Sequence, residues 1–132
     1  MDDDPGFVSA ISRAFSKESP HVMLTTFATG EELIKALTKL PAYQYPNLII
    51  TDLNLPGLNG IELAQQVRNN SRLKMLPIIL LTASDRQGDV YKAYHNGINA
   101  FIHKPPTYPE LKMLVKNLSL YWMQIGQLPY HF

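Results

Sequence analysis

Asp52 interrupts an apolar run. In "NLIITDLNLPGLNG", residues 47–51 carry the β-branched side chains of a strand buried on both faces, and the carboxylate follows at once. A carboxylate at the carboxyl end of a parallel strand stands where open α/β sheets place their ligands. Asp, Asn, Pro and Gly also favour turns, so Asp52 could equally do no more than begin the turn that follows it. Other groups bear on the choice. Asp2, Asp3 and Asp4 open the chain, Thr82 closes the apolar run "LPIILLTA", and Lys104 closes "NAFIHK". Brought together, such carboxylates repel one another unless a cation neutralises them. The donors at hand are oxygens, cysteine is absent, and His21, His95, His103 and His131 include no i, i+4 pair. Mg²⁺ or Mn²⁺ therefore suits the cluster better than zinc. A lysine and a hydroxyl beside carboxylates and such an ion suit a phosphoryl group, whose oxygens need a metal, a cation and a donor. Asp52 is then a nucleophile forming an acyl phosphate.

Those groups can meet only if the chain carries them to one edge. Asp4 as N-cap and Pro5 at the first helical position open a helix with Phe7, Val8, Ile11, Ala14 and Phe15 at helical spacing. Residues 21–28, "HVMLTTFA", read as a strand. Thr29 and Glu32 then form a capping box for a helix with Leu33, Ile34 and Leu37. After the strand into Asp52 come a helix with Ile61, Leu63, Ala64 and Val67, the strand "LPIILLTA", and a helix capped by Ser84 and ended by Gly97. "NAFIHK" is the last strand. A final helix from about residue 109 places Leu111, Leu114, Val115, Leu118, Tyr121, Trp122 and Ile125 on one stripe, before Gly126 and Pro129 end it. Strands alternating with helices imply a parallel sheet with right-handed crossovers and helices on both faces. All strand-to-helix turns then emerge on one side, with the acidic triplet, Asp52, Thr82 and Lys104 among them.

Composition removes other classes. A chain of 132 residues, 45% apolar and 17% charged, fits one domain with one core. Its net charge of +1, from 12 basic and 11 acidic residues, offers no field for nucleic acid or an anionic membrane, and "NNSRLK" is too short for a nucleic-acid patch. No apolar run is long enough to cross a bilayer, and Met1 followed by aspartates is no signal peptide, so a cytoplasmic location is expected. None of the histidines reads as a phosphodonor.

The segments "DDDP", "TDLNLPGLNG", "LLTA" and "FIHKP", in that order and on successive strand ends, resemble the receiver domain of bacterial two-component response regulators over essentially the whole chain. The resemblance implies a flavodoxin-like doubly wound parallel sheet. It implies that a histidine kinase or histidine phosphotransfer protein donates a phosphoryl group to Asp52. It matches Asp2 and Asp3 to the acidic pair that binds Mg²⁺, with Asp3 the direct ligand, and Asn54 to the residue offering its backbone carbonyl to the metal. Thr82 matches the switch hydroxyl, Phe101 the aromatic rotamer switch, and Lys104 the phosphate-binding lysine, whose bond to Pro105 is cis in the family. The tail "LYWMQIGQLP" is similar to the single-domain regulators that partner bacterial phytochromes and hybrid kinases.

One departure is large. Receivers begin with an apolar strand leading into the acidic pair, and here only Met1 precedes Asp2. In the family's strand order that strand lies between those matched by residues 22–27 and 48–51. The expectation is a receiver over residues 1–132 that lacks upstream residues, with no output domain after it; a strand supplied by another chain through domain exchange is the alternative. Three functions fit: a phosphoacceptor module that turns over no metabolite, a degenerate receiver serving as a phosphorylation-independent docking surface, and an Mg²⁺-dependent hydrolase. The third usually needs a second aspartate two residues after the nucleophile, where Asn54 stands. The long stripe of the last helix suggests a homodimer.

Overall fold

The computed structural model describes residues 1–125. Its strands are β1 (Ile49–Thr51), β2 (Ile78–Thr82) and β3 (Ala100–His103), paired in parallel in the order β1-β2-β3. The helices are α1 (Pro5–Glu18), α2 (Gly30–Thr38), α3 (Gly60–Asn69), α4 (Gln87–His95) and α5 (Tyr108–Ser119). A strand buried on both faces needs apolar side chains throughout, and every residue of β2 is buried. Alternation then divides them. Ile78 and Leu80 join Leu33 and Leu37 of α2 and Leu63, Ala64 and Val67 of α3 in one core. Leu81 joins Ile11, Ala14 and Phe15 of α1 and Leu111 and Val115 of α5 in the other. This is the doubly wound α/β arrangement, with helices on both faces. A buried hydrogen bond between the Ser19 and Ser119 hydroxyls, 2.7 Å long, ties the end of α1 to the end of α5.

The helix starts follow the capping chemistry of their sequences, with exceptions. Asp4 accepts from the Gly6 amide and Pro5 opens α1. Thr29 accepts from the Glu32 amide at α2. The reciprocal capping box lies instead at α3, where Asn59 and Glu62 accept each other's backbone amides. Ser84 does not cap α4. That helix begins three residues later, with Arg86 at the N-cap and no side-chain cap. The Ser84 hydroxyl donates to Asp89 Oδ2 at 2.6 Å, a bond to a charged acceptor that outcompetes a backbone one. Gly97, at φ +92°, ends α4 as expected. After α5 the chain continues as a π-helical segment, Leu120–Ile125, in which Tyr121 and Trp122 meet edge to face. Leu111, Val115 and Leu118 are buried, but Leu120 and Tyr121 are exposed. Gly126, Pro129 and His131 lie outside the described residues.

Two further expectations need correction. Residues 21–28 do not form a strand. A strand is a paired state, and the ladder that these residues would join has no regular element between them and β1. They run beside β1 across a cavity instead, with Met23 94% exposed. The bond from Lys104 to Pro105 is trans, as no described peptide bond is cis. Trans is the locally preferred state of such bonds by about 0.5–1 kcal/mol.

Candidate functional site

Parallel pairing brings the carboxyl ends of the strands to one edge, and the predicted residues gather there. Asp52 follows β1, Thr82 ends β2, and Lys104 follows β3. The Lys104 amide donates to the Thr82 carbonyl at 2.8 Å, which joins the ends of β2 and β3. Its ammonium reaches back to β1, donating to Asp52 Oδ2 at 2.8 Å and lying 3.0 Å from Asp2 Oδ2. The other oxygen of Asp2 accepts from the Asp4 amide, and the other oxygen of Asp52 from the Asn54 amide at 3.3 Å. Both carboxylates are largely buried, and Thr82 is fully buried, with its hydroxyl accepting from the Ser84 amide.

Of the adjacent aspartates it is Asp2 that turns inward, while Asp3 is exposed. The Asp2 amide donates to the Phe27 carbonyl, which fixes the backbone at that residue and leaves its neighbour to point away. Phe101 is half-buried against the core, edge to face with His103 at 5.9 Å.

Charge explains the lysine's placement. Burial alone would lower the pKa of Lys104, but its hydrogen bonds to Asp52 and Asp2 outweigh that and raise it. The stabilisation this gives is fully present below the ordinary lysine value and is lost only as pH rises through the raised one. The amino group of Met1 behaves in the opposite way. Burial lowers its pKa, against the pull of Asp2 and Asp52.

Three participants were not evident from the sequence. The Phe7 ring of α1 lies under the Lys104 ammonium, 4.3 Å from it, and holds the side chain over the site. Gly60 opens α3 against the backbone of Asp52, where a Cβ would stand 2.3 Å from the Asp52 carbonyl oxygen. The Met1 amino group donates to the Ile50 carbonyl. Only Gly60 left a trace in the sequence, as a glycine at the first position of a helix, where an N–H is needed but a side chain is not.

Among the described residues no three His, Cys, Asp or Glu side chains converge on one point. Two do, because Asp2 and Asp52 both lie within 3.0 Å of a single nitrogen. One lysine offsets only one of their two charges, and every donor is a hard oxygen. That donor set fits a divalent ion of the Mg²⁺ or Mn²⁺ type.

Residues 1–116 match the family described as response regulator receiver domain. The chain is 33% identical over 94 residues to the chemotaxis protein CheY of Pseudomonas aeruginosa, covering 70% of this chain and 76% of that protein. Among solved structures it is similar to the phosphorylated cyanobacterial phytochrome response regulator RcpA, with a TM-score of 0.88 at 26% identity, over 98% of this chain and 94% of the other. The Mn²⁺-bound form of response regulator Rcp1 gives a TM-score of 0.83 at 25% identity, over 98% and 95%. The chain spans about half the length of several curated relatives that it matches. A family match of that extent, on a chain whose strand ends gather two carboxylates, a threonine and a lysine, places it: the chain belongs to the response regulator receiver domains, the modules of two-component phosphorelay signalling.

Proposed function

We propose that the chain accepts a phosphoryl group on Asp52 from a histidine kinase or histidine phosphotransfer protein. It then passes the signal on through a change in its surface. The observation that carries this reading is the Lys104 ammonium held 2.8 Å from Asp52 on the strand-end edge. In the transfer, the phosphorus–nitrogen bond of a phosphohistidine breaks as an Asp52 oxygen bonds to phosphorus, and the imidazole keeps the electron pair. Lys104 is placed to hold the phosphoryl oxygens, and the buried Thr82 hydroxyl can turn to donate to one of them. Asp2, Asp52, the neighbouring Asp3 and the Asn54 carbonyl would hold Mg²⁺ or Mn²⁺, which would neutralise charge on the incoming group. The chain catalyses its own modification and turns over no metabolite, in keeping with Asn54 in place of a second acid. The likeness to the phosphorylated phytochrome response regulator RcpA supports a phytochrome-linked histidine kinase as donor. Among the described residues no helix is long and apolar enough to cross a membrane.

Intact mass after incubation with a small phosphodonor tests the reading. One base-labile phosphoryl group per chain is expected with Mg²⁺, and none with a chelator. No gain under either condition would leave the phosphorylation-independent docking module as the function. Continuous phosphate release from simple esters would point to the hydrolase.

Two consequences follow for the output. A hydrogen bond from the Thr82 hydroxyl to the phosphoryl group draws that side chain inward and makes room for Phe101. Phenylalanine has no hydroxyl to hold it outward, so its inward state is favoured even before phosphorylation, by about 1 kcal/mol or roughly five-fold in population. Aromatic NMR with and without beryllium fluoride and Mg²⁺ should find mixed rotamers first and an inward ring afterwards. An outward ring in both states removes Phe101 from the switch. The exposed Leu120 and Tyr121 support a homodimer through the last helical segment. Sedimentation that shows a monomer at high concentration, with and without beryllium fluoride, would exclude it.

A further inference from the structure

The loop of residues 53–59 leaves β1 directly after Asp52 and returns at Gly60, which packs against the Asp52 carbonyl. Its ends are fixed. The Gly60 amide donates to the Leu53 carbonyl at 2.9 Å, and the Asn54 amide to Asp52 Oδ1 at 3.3 Å. The middle has less to hold it, because Asn54, Pro56 and Gly57 are exposed. A loop of that kind keeps one position only where something outside it supplies a partner.

That partner comes from α2. Glu31, in the first turn of the helix, accepts the Leu58 amide on Oε1 at 2.9 Å, from a residue 27 positions away in sequence. The fit is close. Gly57 stands at φ +71°, and a Cβ on it would lie 2.6 Å from the same Glu31 oxygen, while a Cβ on Gly30 would lie 3.2 Å from the Leu58 Cβ. Glycine at both positions lets helix and loop approach to hydrogen-bond distance. An acidic residue in a first helical turn ordinarily serves its own helix, through the dipole or a capping box. Here Thr29 already caps α2 by accepting the Glu32 amide, and the Glu31 carboxylate is turned to the loop. The helix behind it is firm, with Leu33 and Leu37 buried in the core that also holds Leu63 of α3.

We propose that Glu31 is a positioning residue for the site: its carboxylate clamps the loop at Leu58 and thereby fixes where the Asn54 carbonyl stands beside Asp52. This rests on the role proposed above for that carbonyl toward the divalent ion. Mg²⁺ demands near-ideal octahedral geometry, so a carbonyl on a wandering loop must be ordered as the ion binds, and affinity falls by that cost. Glu31 touches no reacting atom. It acts by having the loop in order before the ion arrives, which needs an acceptor oxygen at Leu58 and not a charge.

The test uses the whole chain and two variants, Glu31→Ala and Glu31→Gln. Both residues are good helix formers, so the fold should survive either change. Without metal, hydrogen exchange at the Leu58 amide should quicken by about fivefold in Glu31→Ala, the worth of one exposed hydrogen bond. In a Mg²⁺ titration followed by the Asn54 amide resonance, the half-saturating concentration should rise by about fivefold in the same variant. Glu31→Gln keeps an acceptor oxygen and should stay within about twofold of the unmodified chain in both readouts. Labelling rates with a small phosphodonor should converge at saturating Mg²⁺. A lower thermal midpoint with an unchanged Mg²⁺ midpoint would make Glu31 merely structural and overturn the proposal. Glutamine behaving like alanine would overturn it as well, since the carboxylate would then act by its charge. So would an unmodified chain that takes up no Mg²⁺. Exchange and titration need no phosphodonor, so a failure of Asp52 to label falls on the phosphoacceptor reading and leaves the clamp standing.

Discussion

Asp52→Asn should reduce phosphoryl incorporation to background while leaving the fold intact. Asparagine keeps the size and the acceptor oxygen that receives the Asn54 amide, but it removes the nucleophilic charge. Lys104 retains Asp2 at 3.0 Å, so the variant does not strand a buried ammonium. A second variant separates nucleophile from environment. Lys104→Ala leaves Asp52 in place and removes the cation, so labelling should persist but fall by about 100-fold, the scale of losing one charge-stabilising donor. The measurement is the initial rate of base-labile mass gain with a small phosphodonor and Mg²⁺. Undiminished labelling of Asp52→Asn would put the phosphoryl group on another carboxylate, with Asp2 the next to test.

The largest effect on stability is expected from a single methyl group. Gly60→Ala places a Cβ 2.3 Å from the Asp52 carbonyl oxygen and 3.2 Å from the Leu53 Cα. Both are backbone atoms, which cannot swing aside. Either α3 or the loop after β1 must move, at a loss of about 3 kcal/mol or more and a fall in thermal midpoint of about 10 °C. Asp52 should shift with that loop, so labelling should drop too. Gly88→Ala makes the opposite case, since a Cβ there meets nothing within 4 Å and sits in a helix. It should stabilise by about 0.5–1 kcal/mol. Thermal denaturation of the pair reads both signs. Equal midpoints would mean that the contact between α3 and the Asp52 loop is soft.

The site was legible because strand ends are positions that a period reveals. The run "IILLT" is apolar at every residue, and it is the central strand whose end carries Thr82. Asp52 and Lys104 follow from the same alternation of strand and helix. What failed depended on partners that local composition does not name. Residues 21–28 have the composition of a strand, yet composition supplies only one side of a ladder. Which of Asp2 and Asp3 turns inward here rests on one backbone hydrogen bond to Phe27, which adjacent identical side chains cannot disclose. Ser84 has a good capping side chain, but Asp89 competes for its hydroxyl. The Asn59 and Glu62 pair is different, because its N-x-x-E spacing is in the sequence and was passed over for Thr29 and Glu32.

The start of α4 has a consequence for how the domain can move. Its N-cap makes no side-chain hydrogen bond, Gly88 lies in its first turn, and Ala93 alone among its residues is buried. A helix so lightly anchored opens locally at a small fraction of the global unfolding free energy. Its neighbours differ. α3 has a full capping box and four buried residues, and α5 has a capped start and buries Leu111, Val115 and Leu118. With that gradient, α4 is the helix expected to respond first to a small perturbation at the strand ends. The part of the surface that changes would then be selected by its weakness, and strengthening α4 should mute the response while raising the melting temperature.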